Sequence, residues 1–429
     1  MVTNADLAER YRAILPSFIS PLYERPVSID RGEGSYVFDC EGTRYLDFFG
    51  GILTTMIGHA NPVVVEAVQA QAAKVMHTST LYLNEEMISF AEEVAAVSGI
   101  PDPRVLFTTS GSEANDTAIL LATNYRNSNQ VLAVRNSYHG RSLTAQAITS
   151  HRAWSTSSYS GLDVQFVQGG YRLRSPFRQL DDDAFTNACV EDLVQLIDMT
   201  DSGGFSALIA EPIQGVGGFA TPPDGFFGAM GKVLHSEGIL FISDEVQSGW
   251  GRTGEHFWGY EAHGITPDAI TFAKGVGNGI TLAGIVARAE LMNCLTRNSI
   301  TTFGGNPLST AAGRATLRYL LENDLQANAA ARGAQMHERL APVCDASPHV
   351  AELRGKGLMQ GLEFCHADSI EPDAATTAAV LESAKDRGLL VGKGGLYGNV
   401  IRITPMLNVT EAEMDEGLDI LVQVIEALD

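Results

Sequence analysis

Short apolar runs alternate with longer amphipathic stretches through the middle of the chain. Runs at 105–107, 131–134, 207–210, 239–242 and 269–273 are too short for helices and read as buried strands. The stretches 62–75, 85–97, 113–125, 225–236 and 308–321 carry helical spacing between them. Residues 410–428 do so as well, with Met414, Leu418, Leu421, Val422 and Ile425 on one stripe. This rhythm predicts an α/β fold around a mostly parallel central sheet. The start of the chain differs: 28–30, 35–39 and 43–47 look like short strands separated by glycine turns, and the part after about Val350 mixes both element types. The expectation is a large domain over 61–320 and a smaller α/β domain assembled from 1–60 and 321–429.

Three successive strand-like runs end in charge. Residues 207–210 lead into Glu211, 239–243 into Asp244, and 269–273 into Lys274. In a parallel sheet the carboxyl ends of adjacent strands open onto one crevice, where ligands bind. A fourth run leads into Ser110-Gly111-Ser112-Glu113, a turn into a helix. Unpaired amides at a helix start hold anions, and a glycine there allows close approach. Neither GxxxxGK[ST] nor GxGxxG is present at this turn. A lysine, an acid and a phosphate cradle in one crevice suit pyridoxal phosphate, which needs an amine for its aldehyde, an acid for its ring nitrogen and donors for its phosphate. Desolvation would free the lysine amine of its proton.

Composition narrows the partners. A formal net charge of −22 offers no positive footprint for nucleic acid. The 5 cysteines lie far apart with no CxxC, which argues against a disulfide framework or a zinc site and fits a reducing compartment. No apolar run is long enough to cross a bilayer, and the first residues lack a secretory apolar core. A cytoplasmic protein is expected. His59, His77 and His139 read as packed, hydrogen-bonded residues, and no metal site is expected.

Six motifs, in this order and spacing, carry a family resemblance: SGSEAN at 110–115, YHGR at 138–141, EPIQG at 211–215, DEVQSGWGRTG at 244–254, AKGVGNG at 273–279 and TFGGNP at 302–307. The chain resembles the class III aminotransferases, within the fold type I pyridoxal-phosphate enzymes. MHTST at 76–80 and GKGGLYGNVIRIT at 392–404 look similar to the alanine–glyoxylate aminotransferase 2 and ω-amino-acid branch. The resemblance implies a Schiff base on Lys274 and Asp244 paired with the pyridinium nitrogen. Gly111 and Ser112 would bind phosphate, Tyr138 and Val246 would cover the two ring faces, and Gln247 would lie near the ring hydroxyl. Thr302 would reach the phosphate of a partner subunit, which implies a homodimer with shared sites or a tetramer built from it. Arg402 would grip the α-carboxylate and pair with Glu211 when none is bound, and Arg141 would meet a second carboxylate. The implied reaction moves an amino group from an amino donor to a 2-oxo acid acceptor. Other chemistry on the same cofactor (racemization, decarboxylation, phospho-elimination) and a catalytically silent binding protein are the alternatives. Two departures bear on the pocket: Ile280-Thr281 stand where many members carry an aromatic residue and proline, and Pro405-Met406-Leu407 follows the arginine strand.

Overall fold

The strand pattern condenses into three sheets in the computed structural model, which describes residues 2–428. Near the start of the chain, β1 (Ile29–Glu33), β2 (Tyr36–Asp39) and β3 (Arg44–Asp47) form an antiparallel meander. The central sheet contains β4 (Pro103–Thr108), β5 (Gln130–Val134), β6 (Asp163–Val167), β7 (Ala207–Ala210), β8 (Leu240–Asp244), β9 (Ala269–Phe272) and β10 (Ala283–Arg288). Its order is β4-β10-β9-β8-β7-β5-β6. Later strands are β11 (Val350–Lys356), β12 (Met359–Phe364), β13 (Leu389–Leu390), β14 (Gly392–Gly394) and β15 (Val400–Ile403). β13 joins β3 in parallel, so one sheet takes strands from both ends of the chain. The other four late strands make the third sheet, in the order β11-β12-β15-β14.

The five expected central strands form as β4, β5, β7, β8 and β9, and the sheet is parallel across β6, β5, β7, β8 and β9. β7, β8 and β9 are buried at every position, as strands covered on both faces must be. Alternation along β7 divides two cores. Leu208 and Ala210 face Phe185, Phe226 and Phe227 from the helices Asp182–Thr200 and Phe226–Glu237. Ala207 and Ile209 face Ala118, Leu121 and Ala122 from the helix Gly111–Arg126.

The sequence pattern did not reveal β6 or β10. β6 is an edge strand and only half-buried, so it lacks a continuous apolar run. β10 opens on Ala283-Gly284 and runs antiparallel to both β4 and β9. Gly284 has a packing reason: a Cβ there would lie 2.6 Å from the Phe272 ring and 2.8 Å from the Leu106 carbonyl oxygen. Because β10 runs against its neighbours, its leading end lies at the edge where β4 and β9 finish. That reversal brings residues 279–282 to the crevice.

Candidate active site

Glu211, Asp244 and Lys274 do meet. β7, β8 and β9 are adjacent and parallel, and their carboxyl ends open onto a cavity of about 380 Å³. Lys274, Asp244, Glu211, Gly111, Ser112, Tyr138, Arg141, Val246 and Gln247 all line it. Arg402 and Thr302 are the expected site residues that do not.

Lys274 follows β9 in a left-handed conformation, φ 50°, which a side-chain-bearing residue adopts at a cost of roughly 1–3 kcal/mol. Its amine has no hydrogen-bond partner among the described residues. Burial and the nearby Arg402 guanidinium push its pKa down from 10.5 to about 8, against the pull of Asp244 and Glu211. Between about pH 8 and 10.5 the folded chain therefore holds fewer protons at this site than the unfolded chain. Stability from this group rises with pH across that window, and below it the buried ammonium is a burden. Denaturant titrations of cofactor-free wild type and Lys274→Ala should show the difference between them narrowing as pH rises from 8 to 10.5. A constant difference would show that the amine keeps its ordinary pKa.

Asp244 closes β8 and is almost fully buried. Its Oδ1 accepts from the Val246 amide at 3.1 Å. Its Oδ2 accepts from Asn115 Nδ2 at 2.8 Å and lies 2.7 Å from His139 Nδ1. Asn115 is itself fixed by Thr271 Oγ1, which donates to its Oδ1 at 2.7 Å. The carboxylate thus has both oxygens oriented before any ligand arrives, the preorganization that electrostatic catalysis requires. His139 is packed and hydrogen-bonded as expected, and Asn115 was not singled out from sequence.

The anion cradle is the start of the helix Gly111–Arg126. Ser110 caps it, accepting from the Glu113 amide at 3.2 Å, and Glu113 reaches back to the Thr109 amide at 2.8 Å. Among the described residues, the amides of Gly111 and Ser112 donate to no protein group. Gly111 keeps the approach open, since a Cβ there would sit 3.3 Å from Val246. Tyr138 lines the cavity with its ring edge-on to Trp154, centroids 5.5 Å apart. Gln247 packs over Gly215, where a Cβ would fall 1.9 Å from its Nε2, and its Oε1 is buried without a partner.

Arg402 lies in β15 and is 5% exposed, with its guanidinium 5.0 Å from the Phe49 ring and 5.7 Å from the Phe219 ring. Its Nη1 donates to the Gly215 carbonyl at 3.4 Å and its Nε has no partner. Burial lowers its pKa to about 10, with Glu211 opposing. The expected Glu211–Arg402 ion pair is not closed. Glu211 instead accepts from the amides of Tyr138 at 3.0 Å and Gly215 at 2.8 Å. Those backbone donors satisfy the carboxylate, while burial raises its pKa. Thr302 lies on the surface, outside the lining of this cavity. Gly279, Ile280, Thr281, Leu282 and Thr54 complete the lining. In the sequence, Ile280-Thr281 stands out only as a departure from the family pattern.

The residues present fit pyridoxal phosphate on the structure's own terms: open amides, an oriented buried acid, and an amine without a partner all face one cavity. Residues 19–425 match the family model described as aminotransferase class-III. The chain belongs to the class-III aminotransferases. This class-III enzyme is 38% identical over 411 residues to an alanine–glyoxylate aminotransferase 2 homologue of Arabidopsis thaliana, named as mitochondrial, covering 95% of this chain and 84% of the relative. It is 33% identical to an alanine/serine racemase of Pyrococcus horikoshii, covering 98% and 90%. Among solved structures it is similar to an (S)-enantioselective ω-transaminase from Thermomicrobium roseum: TM-score 0.91, 31% identity, and 99% and 98% coverage. The aminotransferase is pyridoxal-phosphate dependent, as the family is. None of its helices among the described residues is long and apolar enough to cross a membrane.

Proposed function

We propose that the enzyme moves an amino group from alanine or an ω-amino acid (β-alanine, 3-aminoisobutyrate or 4-aminobutyrate) to pyruvate, glyoxylate or 2-oxoglutarate. The order is ping-pong: the keto product leaves before the 2-oxo acid enters the same cavity. The observation that carries this reading is the convergence of Lys274 and Asp244 on one cavity with open helix amides. Pyridoxal phosphate supplies an electrophilic carbon and an electron-accepting ring. Lys274 would hold it through its amine, and the same amine would move a proton at the substrate carbon as general base. Its lowered pKa keeps a free amine available near pH 8. Asp244 would pair with the ring nitrogen and favour its protonated state. Gly111 and Ser112 would hold the phosphate, Tyr138 and Val246 would cover the ring, and Gln247 would lie near the ring hydroxyl. Arg402 takes the α-carboxylate as a bidentate fork, which its unpartnered Nε favours. Arg141, exposed at the cavity wall, meets a second carboxylate in longer substrates.

The racemase relative supports a second reading, proton removal and return without net transfer. A colour test separates the two. Purified enzyme loaded with cofactor should be yellow, bleach with an amino donor, and recover with a 2-oxo acid. Colour that does not bleach reversibly would favour the second reading. An uncoloured protein that binds no added cofactor would overturn both.

We also propose a homodimer in which Thr302 of each chain completes the partner's phosphate site. Ile300 and Phe303 flank Thr302 and are 57% and 59% exposed, and Leu81, Tyr82 and Leu83 are 73%, 69% and 93% exposed. The Phe303 ring lies 4.8 Å from His77, four residues before Leu81. Apolar side chains displayed this way mark an interface. Leu81→Asp/Leu83→Asp should sediment as a monomer and lose most activity. A wild type that sediments as a monomer would contradict the shared site. The five cysteines are all free, which suits the reducing, cytoplasmic compartment we propose.

A further inference from the structure

A second charged cluster, centred on a buried glutamate, is linked to the loop that holds Arg402. Glu363 on β12 has no exposed side-chain surface. Its Oε1 accepts from Arg174 Nη2 at 2.6 Å and Nε at 3.0 Å, and from Asn399 Nδ2 at 3.2 Å. Its Oε2 accepts from Arg354 Nη1 at 2.6 Å and from the Tyr171 hydroxyl at 2.7 Å. Burial favours the neutral acid, yet Arg354 and these donors hold the carboxyl below its usual range. Arg354 has one further bond that the ion pairs do not require: its Nε donates to the Gly218 carbonyl at 2.8 Å.

Gly218 belongs to the loop that cradles Arg402. The Gly215 carbonyl accepts from Arg402 Nη1, and the Phe219 ring flanks its guanidinium. Val216 is tied to Gly395 by a backbone bond of 2.9 Å, next to Gly394, which faces Arg402 Nε. Gly218 has φ +86°, and a Cβ there would press on Val400 at 2.8 Å and on Arg354 Nη2 at 3.1 Å. We propose that Arg354, clamped by Glu363, is a positioning residue for the substrate carboxylate: it fixes loop 215–219 and so sets where Arg402 presents its fork. This rests on the assignment of Arg402 as the carboxylate site. The planar guanidinium matters because Nη1 and Nε serve two different acceptors at a fixed angle.

The test uses cofactor-loaded enzyme and propionate, a carboxylate without an amine, as competitive inhibitor. Arg354→Lys keeps the charge opposite Glu363 and removes the fork. Its propionate Ki and the KM for alanine should rise about tenfold while kcat falls less than threefold. Gly218→Ala, which displaces the same loop from the other side, should shift Ki in the same direction. Arg402→Ala is the control. If it leaves Ki unchanged, the carboxylate assignment itself is wrong. If it raises Ki while both loop variants stay within twofold of wild type, the positioning role alone is overturned. If both loop variants fail to load cofactor, the cluster is a folding element and the proposal falls.

Discussion

Lys274→Ala should fold, bind cofactor without a covalent link, and turn over at least ~10⁴-fold more slowly than wild type. The variant removes both the anchoring amine and the proton-transferring base, and general base catalysis alone is worth roughly 10²–10⁴-fold. Folding should survive because the amine has no partner to lose among the described residues. Taking away a buried ammonium with an unfavourably lowered pKa removes a burden at neutral pH, so the cofactor-free variant should melt no lower than wild type. Added methylamine, small enough for the space left behind, should restore part of the rate. Near-normal turnover without an added amine would exclude Lys274 from the chemistry.

Asp244→Asn should leave the covalent link intact and lower kcat by about 10²–10³, the range for losing one preorganized electrostatic partner. The geometry makes the change harsh. The two oxygens face donors on both sides, the Val246 amide on one and Asn115 and His139 on the other. A carboxamide puts an N–H group against one of these sets in either orientation, so a buried donor loses its acceptor at about 1–3 kcal/mol. The spectrum separates the two variants: Asp244→Asn stays coloured with bound cofactor linked to Lys274, and Lys274→Ala does not form the link. A kcat within threefold of wild type for Asp244→Asn would mean that the ring nitrogen is supported by another group.

The crevice was legible because its chemistry sits where regular strands end. β7, β8 and β9 are largely apolar, and the first charge at or just beyond the end of each marks the crevice edge. The helix start at Gly111 was legible through its serine cap and glycine. What escaped was carried by long-range contacts. Asn115 reads as an ordinary helix residue, and only the fold brings it to Asp244 from a separate element. The lining from Ile280 to Leu282 depends on the reversed direction of β10, which no local pattern encodes. The helix Asp182–Thr200 carries a stripe at Phe185, Cys189, Leu193 and Ile197, but acidic and amide residues between them obscured it. The helix Leu325–Ala346 was hidden by its alanines and by Pro342 inside it. The ion pair expected between Glu211 and Arg402 is not formed: Glu211 accepts from two backbone amides, and Arg402 donates to the Gly215 carbonyl.

Borohydride reduction of the loaded enzyme, followed by peptide mass mapping, tests the central claim most directly. The reduced pyridoxyl group should be found on the peptide containing Lys274, at one equivalent per chain, and on no other lysine. A label on Lys232, Lys356 or another amine, or no stable label on a protein that is visibly yellow, would contradict the account.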